Sequence, residues 1–295
     1  MGKLTETIKD LIQAELGQTQ QYAKGKKRAK IIAVCSQKGG VGKTTTAVNL
    51  GSALVKFFDK RVLLTDLDPQ GHVEKSLSSI VEEGIDYSPM SEILLSKHGE
   101  ILDGVVKTSD ENLHITPGDK GLYETEGQLA SKLGREFILQ NTFSLAKTHY
   151  DYIIIDCPPN LGNLTINALC AADYAVIPCE MSVLAFEGVN DLVETLETIK
   201  MRLNKKLQVL GVLFTRVDGR NTTMNDLVET NMKKHFKGKI FRSKITVNTA
   251  LNKAQLEGEP VFDFAPTSSG STNYQALAKE IVTRVSKGKG KSVRQ

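Results

Sequence analysis

The hydrophobic positions of the chain fall into short apolar runs that alternate with longer segments of helical spacing. The run KIIAVCS is rich in β-branched residues and has no polar face, which is typical of a strand buried on both sides of a sheet. Such runs predict strands at residues 30–36, 61–68, 150–159, 174–180 and 207–218. Helical spacing predicts helices at residues 45–58, 165–173, 184–203 and 274–285. The alternation predicts an α/β fold, a mostly parallel twisted sheet with helices on both faces.

The edges of this pattern predict one domain with an extension at each end. The segment 71–125 is less regular, and within it LHITPGD (113–119) predicts one more strand that ends in a Pro-Gly turn. Residues 1–28 predict a helix followed by a basic linker, and this helix either docks on its own domain or faces a partner. The domain is predicted over residues 29–286, and residues 287–295 form a basic tail.

Composition and net charge are those of an ordinary globular protein and leave the predicted fold unchanged. The chain has 295 residues, 40% of them hydrophobic and 24% charged, and its formal net charge of +4 does not by itself indicate a nucleic-acid-binding protein. Basic residues are concentrated at 24–30 and 286–295. These two stretches are either solvated tails or an anchor for an acidic surface, because neutralised phosphates release counterions.

The cysteines and the apolar runs bear on the cellular compartment. No two of the four cysteines form a C-x-x-C pair, and three lie in or just after strand-like runs, which predicts buried, reduced thiols. The first residues are too polar for a secretory signal, and no run approaches the roughly 20 apolar residues that a membrane span needs. We therefore expect a soluble, cytoplasmic protein.

The stretch QKGGVGKTT (37–45) lies between the first predicted strand and the first predicted helix and indicates a phosphate site. Backbone N–H groups of such a turn and the N-terminus of the following helix attract anions. Three glycines let this backbone approach phosphate oxygens closely: Gly39, Gly40 and Gly42. Lys43 is expected to reach the β- and γ-phosphates, and the Thr44 hydroxyl to bind Mg²⁺. Thr45 is placed for the α-phosphate.

The loop departs from the common pattern G-x-x-x-x-G-K-[ST] at its start. Gln37 stands where that pattern has its first glycine, and a second lysine, Lys38, follows it. This arrangement resembles the Walker A loop of the ParA/MinD family of P-loop ATPases. The resemblance implies a P-loop NTPase fold, ATP and Mg²⁺ as cofactors, and nucleotide contacts along the whole loop from Lys38 to Thr45, Val41 included.

The resemblance also implies a role for the second lysine. In that family it reaches the ATP held by a second subunit, and two protomers close face to face around two ATP molecules. Two neighbouring lysines repel each other in a lone protomer, whereas the γ-phosphate of the partner's ATP supplies an opposing charge. By resemblance, Lys38 and Lys43 are both catalytic, and Lys38 makes the homodimer depend on ATP.

Two predicted strands end in aspartates, as phosphoryl transfer assisted by Mg²⁺ requires. LLTDLDPQG (63–71) contains Asp66 and Asp68, and IIIDCPP (153–159) contains Asp156. A lone aspartate at a strand end is more often a turn former or a helix cap, but three of them in a chain with a phosphate loop indicate a catalytic site. Both segments resemble motifs of the ParA/MinD family.

The family resemblance implies separate roles for these aspartates. Asp68 positions and activates the attacking water, and Asp66 supports the metal through its hydration shell. Asp156 is the Walker B carboxylate, which is bonded to a water molecule on Mg²⁺. Pro158 and Pro159 begin the segment that senses the γ-phosphate.

Adenine contacts are expected, by the same resemblance, at the end of the last predicted strand. The residues there are Thr215, Arg216 and Asp218, and the alternative for Arg216 is a solvated surface cation. His72 stands where the family usually has asparagine after DPQG, and we expect a surface residue rather than a catalyst.

Partitioning members of the family bind DNA without sequence preference, through arginines in a stretch resembling I-P-R-x-x-R-L-x-E-A. The matching segment 243–260 lacks these arginines, and Asn248 and Leu251 stand near their places. Lysines still neutralise phosphates as point charges. The candidate DNA-binding residues are Lys233, Lys234, Arg242, Lys244 and Lys253. The alternative for this cluster is a solvated charged face.

The resemblance to partitioning members of the family implies a ParA-like ATPase that positions a plasmid, a chromosome or another large cargo. Its ATP-bound dimer would bind DNA at the nucleoid, and a ParB-like or adaptor protein would stimulate its slow hydrolysis. An alternative is a nucleotide-gated regulatory module whose output is dimerisation rather than hydrolysis. A MinD-like membrane-positioned ATPase is a third interpretation, but the tail SKGKGKSVRQ has no apolar face to insert.

Overall fold

The computed structural model describes residues 28–182 and 185–289, and its centre is a seven-stranded sheet. Numbered along the chain, the strands are β1 Lys30–Val34, β2 Val62–Asp66, β3 Val106–Lys107, β4 Leu113–Thr116, β5 Tyr152–Asp156, β6 Tyr174–Glu180 and β7 Gln208–Thr215. Their order across the sheet is β3-β4-β2-β5-β1-β6-β7. Neighbouring strands are parallel, except β3 and β4, which are antiparallel. The predicted α/β fold with a mostly parallel sheet is confirmed.

Helices cover both faces of this sheet and connect its strands. They are α1 Lys43–Phe58, α2 His72–Lys75, α3 Met90–Leu95, α4 Leu122–Leu129, α5 Ile138–Thr142, α6 Ala146–His149, α7 Asn163–Ala171, α8 Ala185–Arg202, α9 Thr222–His235, α10 Thr249–Glu257, α11 Val261–Phe264 and α12 Ser269–Lys289. Two short 3₁₀ helices lie at Ile101–Gly104 and Arg135–Phe137.

The apolar runs of the central strands follow from burial on both sides. In β1, Ile31 and Ala33 belong to one core cluster, whereas Ile32 and Val34 belong to the cluster on the opposite face. Successive side chains of a strand point to opposite faces, so a sheet covered on both faces needs apolar residues at every position. The carboxyl ends of β1, β2, β5, β6 and β7 meet at one edge of the sheet, where ligands of such folds bind.

The predicted strands and long helices are present, and the differences have physical causes. The sequence did not indicate β3, because a strand of two residues is too short to show a pattern. Helix α12 starts at Ser269, earlier than the predicted start at Tyr274, because its packing against α1 overrides the weak helix propensity of SSGSTN. The predicted N-terminal helix and the end of the basic tail lie outside the described residues.

The structure also bears on the predicted state of the cysteines and on the predicted lack of a membrane span. All four cysteines are free and buried, as predicted. Burial raises the pKa of the Cys35 thiol to about 12, so the reactive thiolate form is disfavoured. In the part of the chain that the structure describes, no helix is both long and apolar enough to span a bilayer.

Candidate functional site

The candidate phosphate loop, residues 37–42, connects β1 to α1. Gly40 and Gly42 have φ angles of 73° and 85°, in the left-handed region that glycine adopts at little cost. Helix α1 follows directly, so its free N–H groups and the positive end of its dipole face an anion held by the loop. The Thr215 hydroxyl at the end of β7 donates a hydrogen bond to the Val41 carbonyl at 2.9 Å, which ties the loop to the sheet.

The two lysines of the loop lie in different surroundings. Lys43 is buried, and its Nζ donates to the Lys38 carbonyl oxygen at 3.4 Å, close to the backbone of the loop. Lys38 keeps 59% of its side chain exposed and forms an ion pair with Glu180 at the end of β6, with 2.7 Å between Nζ and Oε2. The hydrogen bond from Lys38 lowers the pKa of the Glu180 carboxyl below its ordinary value. No local pattern indicates this partner of Lys38, which lies 142 positions further along the chain.

Two aspartates lie side by side at the carboxyl ends of β2 and β5, where Asp66 pairs in register with Asp156. Both are buried, and burial together with the nearby Asp156 charge raises the pKa of Asp66 well above its ordinary value. Asp66 accepts hydrogen bonds from the N–H groups of Asp68 at 2.8 Å and Val73 at 3.0 Å. Asp68 in turn accepts the Gln70 N–H at 3.0 Å, so the DLDPQG loop is braced on both sides of Asp68.

Asp156 provides an oxygen that fits a divalent cation. The Thr44 hydroxyl donates to its Oδ2 at 2.5 Å, while the buried Oδ1 has no hydrogen-bond partner in the described structure. Burial raises the pKa of Asp156 to about 7, against the opposing effects of Thr44 and Lys43. Over residues 28–182 and 185–289, no cluster of three or more metal-ligating side chains occurs. Mg²⁺ at this place would therefore also need phosphate and water oxygens, as is usual for Mg²⁺ with nucleotides.

A cavity of about 510 Å³ extends from the phosphate loop along the carboxyl edge of the sheet, a volume within the usual range for small-molecule sites. Its phosphate end is lined by Gly39, Gly40, Val41, Gly42, Lys43, Thr44, Thr45, Asp68, Gln70, His72 and Pro159. Its other end, which we call the base end, is lined by Thr215, Arg216, Ile245, Thr246, Val247, Asn248, Thr249, Leu251, Asn252, Gln255 and Tyr274.

Two of the three residues predicted to contact adenine line the base end, and the third does not. Thr215 and Arg216 line the cavity, but the Thr215 hydroxyl is already engaged with the phosphate loop. Asp218 is not among the lining residues and forms an ion pair with Arg220, with 2.7 Å between the charged atoms. The three assignments remain predictions, of which Arg216 has the most accessible side chain facing the cavity.

Part of the wall of the base end comes from the segment 243–260, which matches the DNA-binding stretch of partitioning relatives. Asn248 caps α10, because its side chain accepts the Ala250 N–H at 2.7 Å, and Leu251 is buried in the core. Asn252 and Gln255 on the same helix line the cavity. The residues in place of the family's arginines thus have local structural roles, and only the capping pattern of Asn248 was visible in the sequence.

The predicted DNA-binding residues lie on α9, on α10 and on the segment between these helices. Lys233 and Lys244 share one carboxylate, Glu229, at 2.7 and 2.5 Å. Their charges are therefore partly neutralised by their own chain. The remaining candidates have exposed side chains: Lys234, Arg242 and Lys253.

Comparisons with known proteins agree with this geometry. A family model described as an AAA domain, AAA_31, matches residues 29–209. The chain is 40% identical over 252 residues to the sporulation initiation inhibitor protein Soj of Bacillus subtilis, covering 85% of this chain and 98% of that protein. It is also 40% identical over 260 residues to the chromosome-partitioning ATPase Soj of Thermus thermophilus, covering 88% and 98%.

A solved structure extends the comparison to three dimensions. Cobyrinic acid a,c-diamide synthase from Mycobacterium smegmatis, with bound ATP analogue and magnesium, matches with a TM-score of 0.73 and 32% identity over 85% of this chain and 93% of that one. Similarity to both Soj proteins covers nearly their whole length, and the match to the family model includes the phosphate loop and the strand-end aspartates. The chain therefore belongs to the ParA/MinD family of P-loop ATPases and is similar to its Soj/ParA partitioning members.

Proposed function

We propose that residues 29–286 form an ATPase domain that binds ATP with Mg²⁺ and closes into an ATP-sandwich homodimer. The proposal rests on the separation of the two loop lysines. Lys43 is buried beside the phosphate site, whereas Lys38 lies on the exposed face next to it. A cation on that face is available to a nucleotide held by a second molecule. The chromosome-partitioning Soj relative supports ATP hydrolysis, and the diamide synthase with bound ATP analogue and magnesium supports the choice of cofactors.

The arrangement of the site supports a mechanism of positioning and charge compensation. Lys43 and the N-terminal amides of α1 would hold the phosphates, and Thr44 and Asp156 would hold the cation. Mg²⁺, when bound, compensates the charge of the phosphate oxygens. Asp68 would orient the attacking water and accept its proton, because its loop is braced toward the cavity by Asp66.

The proposed output is DNA binding by the ATP-bound dimer and release after hydrolysis. The exposed side chains of Lys234, Arg242 and Lys253 are the best candidates for phosphate contacts, since they lack the carboxylate that Lys233 and Lys244 share. A ParB-like or adaptor protein on the cargo would stimulate hydrolysis. The cycle would position a plasmid, a chromosome or another large cargo in the cytoplasm, at the nucleoid.

Dimerisation and phosphate release test this proposal together. With ATP and Mg²⁺, the wild type is expected to sediment as a dimer and Lys38→Ala as a monomer that still binds ATP. Lys56→Ala is the matched control, because Lys56 is an exposed lysine on α1 that pairs with Asp263 at 2.5 Å, away from the loop. A normal ATP-dependent dimer of the Lys38→Ala protein would refute the cross-subunit role.

The same assays, together with liposome flotation, separate the ATPase from the alternative functions. The Asp68→Ala protein should dimerise with ATP and stay dimeric, because it loses the residue that activates water. If the wild type dimerises with ATP but releases no phosphate with any cargo protein or DNA, the regulatory module is favoured. Flotation of the wild type with ATP on anionic liposomes would instead favour a membrane-positioned ATPase.

A further inference from the structure

Helix α4, Leu122–Leu129, contacts the DLDPQG loop and, at Gly162 and the first residues of α7, the end of the segment Cys157–Gly162. On the basis of the function proposed above, we propose that Glu126 of this helix is a positioning residue for ATP hydrolysis. It holds the end of the segment Cys157–Gly162, and α4 couples this segment to the loop that contains Asp68.

Glu126 provides the anion at the N-terminus of α7. Its carboxylate accepts the N–H of Asn163 and, at 3.0 Å, the N–H of Leu164, while its carbonyl accepts the Asn163 side-chain amide at 2.9 Å. Gly162, the residue before α7, has no side chain that could do this. A carboxylate at this place is stabilised by the helix dipole and by the free N–H groups. The end of the segment is therefore fixed by a residue from a different helix.

Gly162 shows how closely Glu126 approaches the segment. A Cβ atom at this position would lie 2.1 Å from Glu126 Oε1 and 2.8 Å from its carboxyl carbon. The φ angle of Gly162 is −81°, which alanine also adopts, so the carboxylate is the obstacle to a side chain here. The Glu126 carboxylate therefore lies directly against the backbone of Gly162.

The first turn of α4 also contacts the loop that contains Asp68. The Gln70 side chain donates a hydrogen bond to the hydroxyl of Tyr123, the second residue of α4. Gly118, in the turn before α4, packs so closely that a Cβ atom there would lie 2.5 Å from the Asp68 carbonyl oxygen. A shift of α4 would therefore move the surroundings of Asp68 as well.

The segment Cys157–Gly162 passes the cavity at Pro159, so the place of its end at Gly162 affects a residue that lines the cavity. It starts directly after Asp156, where the Cys157 N–H donates to the Val34 carbonyl at 3.2 Å, and Pro159 lines the cavity. Next to Pro159, the Asn160 carbonyl accepts the Thr165 hydroxyl of α7 at 2.6 Å, so the place of Pro159 also depends on where α7 begins. Small displacements of groups around a reacting phosphate cost far more in rate than in binding.

The test is steady-state phosphate release from Mg²⁺-ATP by Glu126→Gln, with Glu124→Gln as control. Glu124 is an exposed carboxylate on the same helix, so its variant has the same change of charge. Glu126→Gln is expected to lower kcat about tenfold or more and to leave KM within about twofold, while the control changes neither. A kcat of the folded Glu126→Gln protein within about twofold of wild type would overturn the proposal.

A double-mutant cycle with Gly162 checks the contact without removing the carboxylate first. Gly162→Ala alone should lower kcat, because its methyl group displaces the Glu126 side chain. Gly162→Ala combined with Glu126→Ala should be no slower than Glu126→Ala alone, because the obstacle is gone. Fully additive losses would contradict the proposed contact.

Hydrogen exchange separates this proposal from the proposed function itself. In the wild type, a non-hydrolysable ATP analogue with Mg²⁺ is expected to protect the amides of residues 160–164 more than ADP does. In Glu126→Gln this difference should disappear. A wild type without turnover under any condition would refute the proposed function, whereas equal analogue-dependent protection in both proteins would overturn the role of Glu126.

Discussion

The two ends of the cavity are built in different ways. The phosphate end consists of short continuous segments that follow β1, β2 and β5, and each of its charged groups is held by neighbours in the same segment or in the next strand. The base end is assembled from the end of β7, from α10 and from Tyr274 of α12, which are far apart in sequence. The charged groups of the site thus depend on local motifs, whereas the shape of the cavity depends on tertiary packing.

The sharpest test of this difference is Lys43→Ala at the phosphate end. Lys43 is buried beside the loop, and its loss should reduce ATP turnover by roughly 100-fold or more, because one preorganised donor to transition-state charge is worth that much. Phosphate release at saturating ATP measures the effect. Lys56→Ala, on the outer end of the same helix, should stay within about twofold of wild type.

The second test uses pH, because the aspartates at the phosphate end are buried with raised pKa values. The pKa of Asp156 is about 7 in the fold and about 4 in an unfolded chain, so the native state binds an extra proton between these values. The free energy of unfolding without Mg²⁺ should therefore fall, by on the order of a few kcal/mol, as the pH rises from about 4 to about 7. Urea titrations across this range measure it.

Two variants isolate the source of that pH dependence. Asp156→Asn should flatten the decline and be more stable than wild type at pH 8, since a neutral amide does not pay the desolvation of a charge. Asp263→Asn, at an exposed carboxylate, should keep the wild-type slope. An unchanged slope in Asp156→Asn would mean that other groups cause the decline.

At the base end we expect smaller effects that act through packing. Asn248→Ala removes the cap of α10 and should lower the free energy of unfolding by about 1 kcal/mol. Because α10 forms the wall of the base end, affinity for ATP should also fall a few-fold, with kcat nearly unchanged. Denaturant titration and nucleotide binding measure the two effects. A loss of turnover as large as that of Lys43→Ala would remove the distinction between the two ends.

We expect the smallest effects from substitutions at two neighbouring residues of α10, Asn252 and Lys253. Asn252 lines the cavity, whereas Lys253 is exposed on the outside. Asn252→Ala should weaken ATP binding a few-fold and leave the DNA affinity of the ATP-bound protein unchanged. Lys253→Ala should weaken DNA binding a few-fold and leave ATP binding unchanged, and its effect should shrink between roughly 50 and 200 mM salt. The same change in both affinities for either variant would show that α10 does not separate the two surfaces.

The fold and the phosphate end could be predicted because their signals are local. A strand buried on both faces requires an unbroken apolar run, and a phosphate loop requires glycines and Lys43 at fixed spacing. Each signal lies within a few residues of the structure that it predicts. The two-residue strand β3 and the early start of α12 depend on neighbours elsewhere in the chain, and neither has a local pattern.

The remaining site residues depend on contacts across the fold. Glu180 meets Lys38 because β6 lies next to β1 in the sheet, although 142 positions separate the two residues. Glu126 meets α7 in the same way. Asn248 and Leu251 stand near the places of the expected arginines. Asn248 caps α10 there, and Leu251 packs into the core. Such pairings follow from topology, which a single sequence does not display.

The ion pair between Lys38 and Glu180 has a consequence for the resting protein. Exposed ion pairs of this kind contribute at most about 1 kcal/mol to stability. Glu180 therefore holds the Lys38 side chain only weakly. Glu180 partly compensates the charge of Lys38, and in the proposed dimer a triphosphate would compete with this single carboxylate through its larger negative charge. In the proposed cycle, we therefore expect this pair to disfavour dimers without ATP and to break when the partner's ATP approaches Lys38.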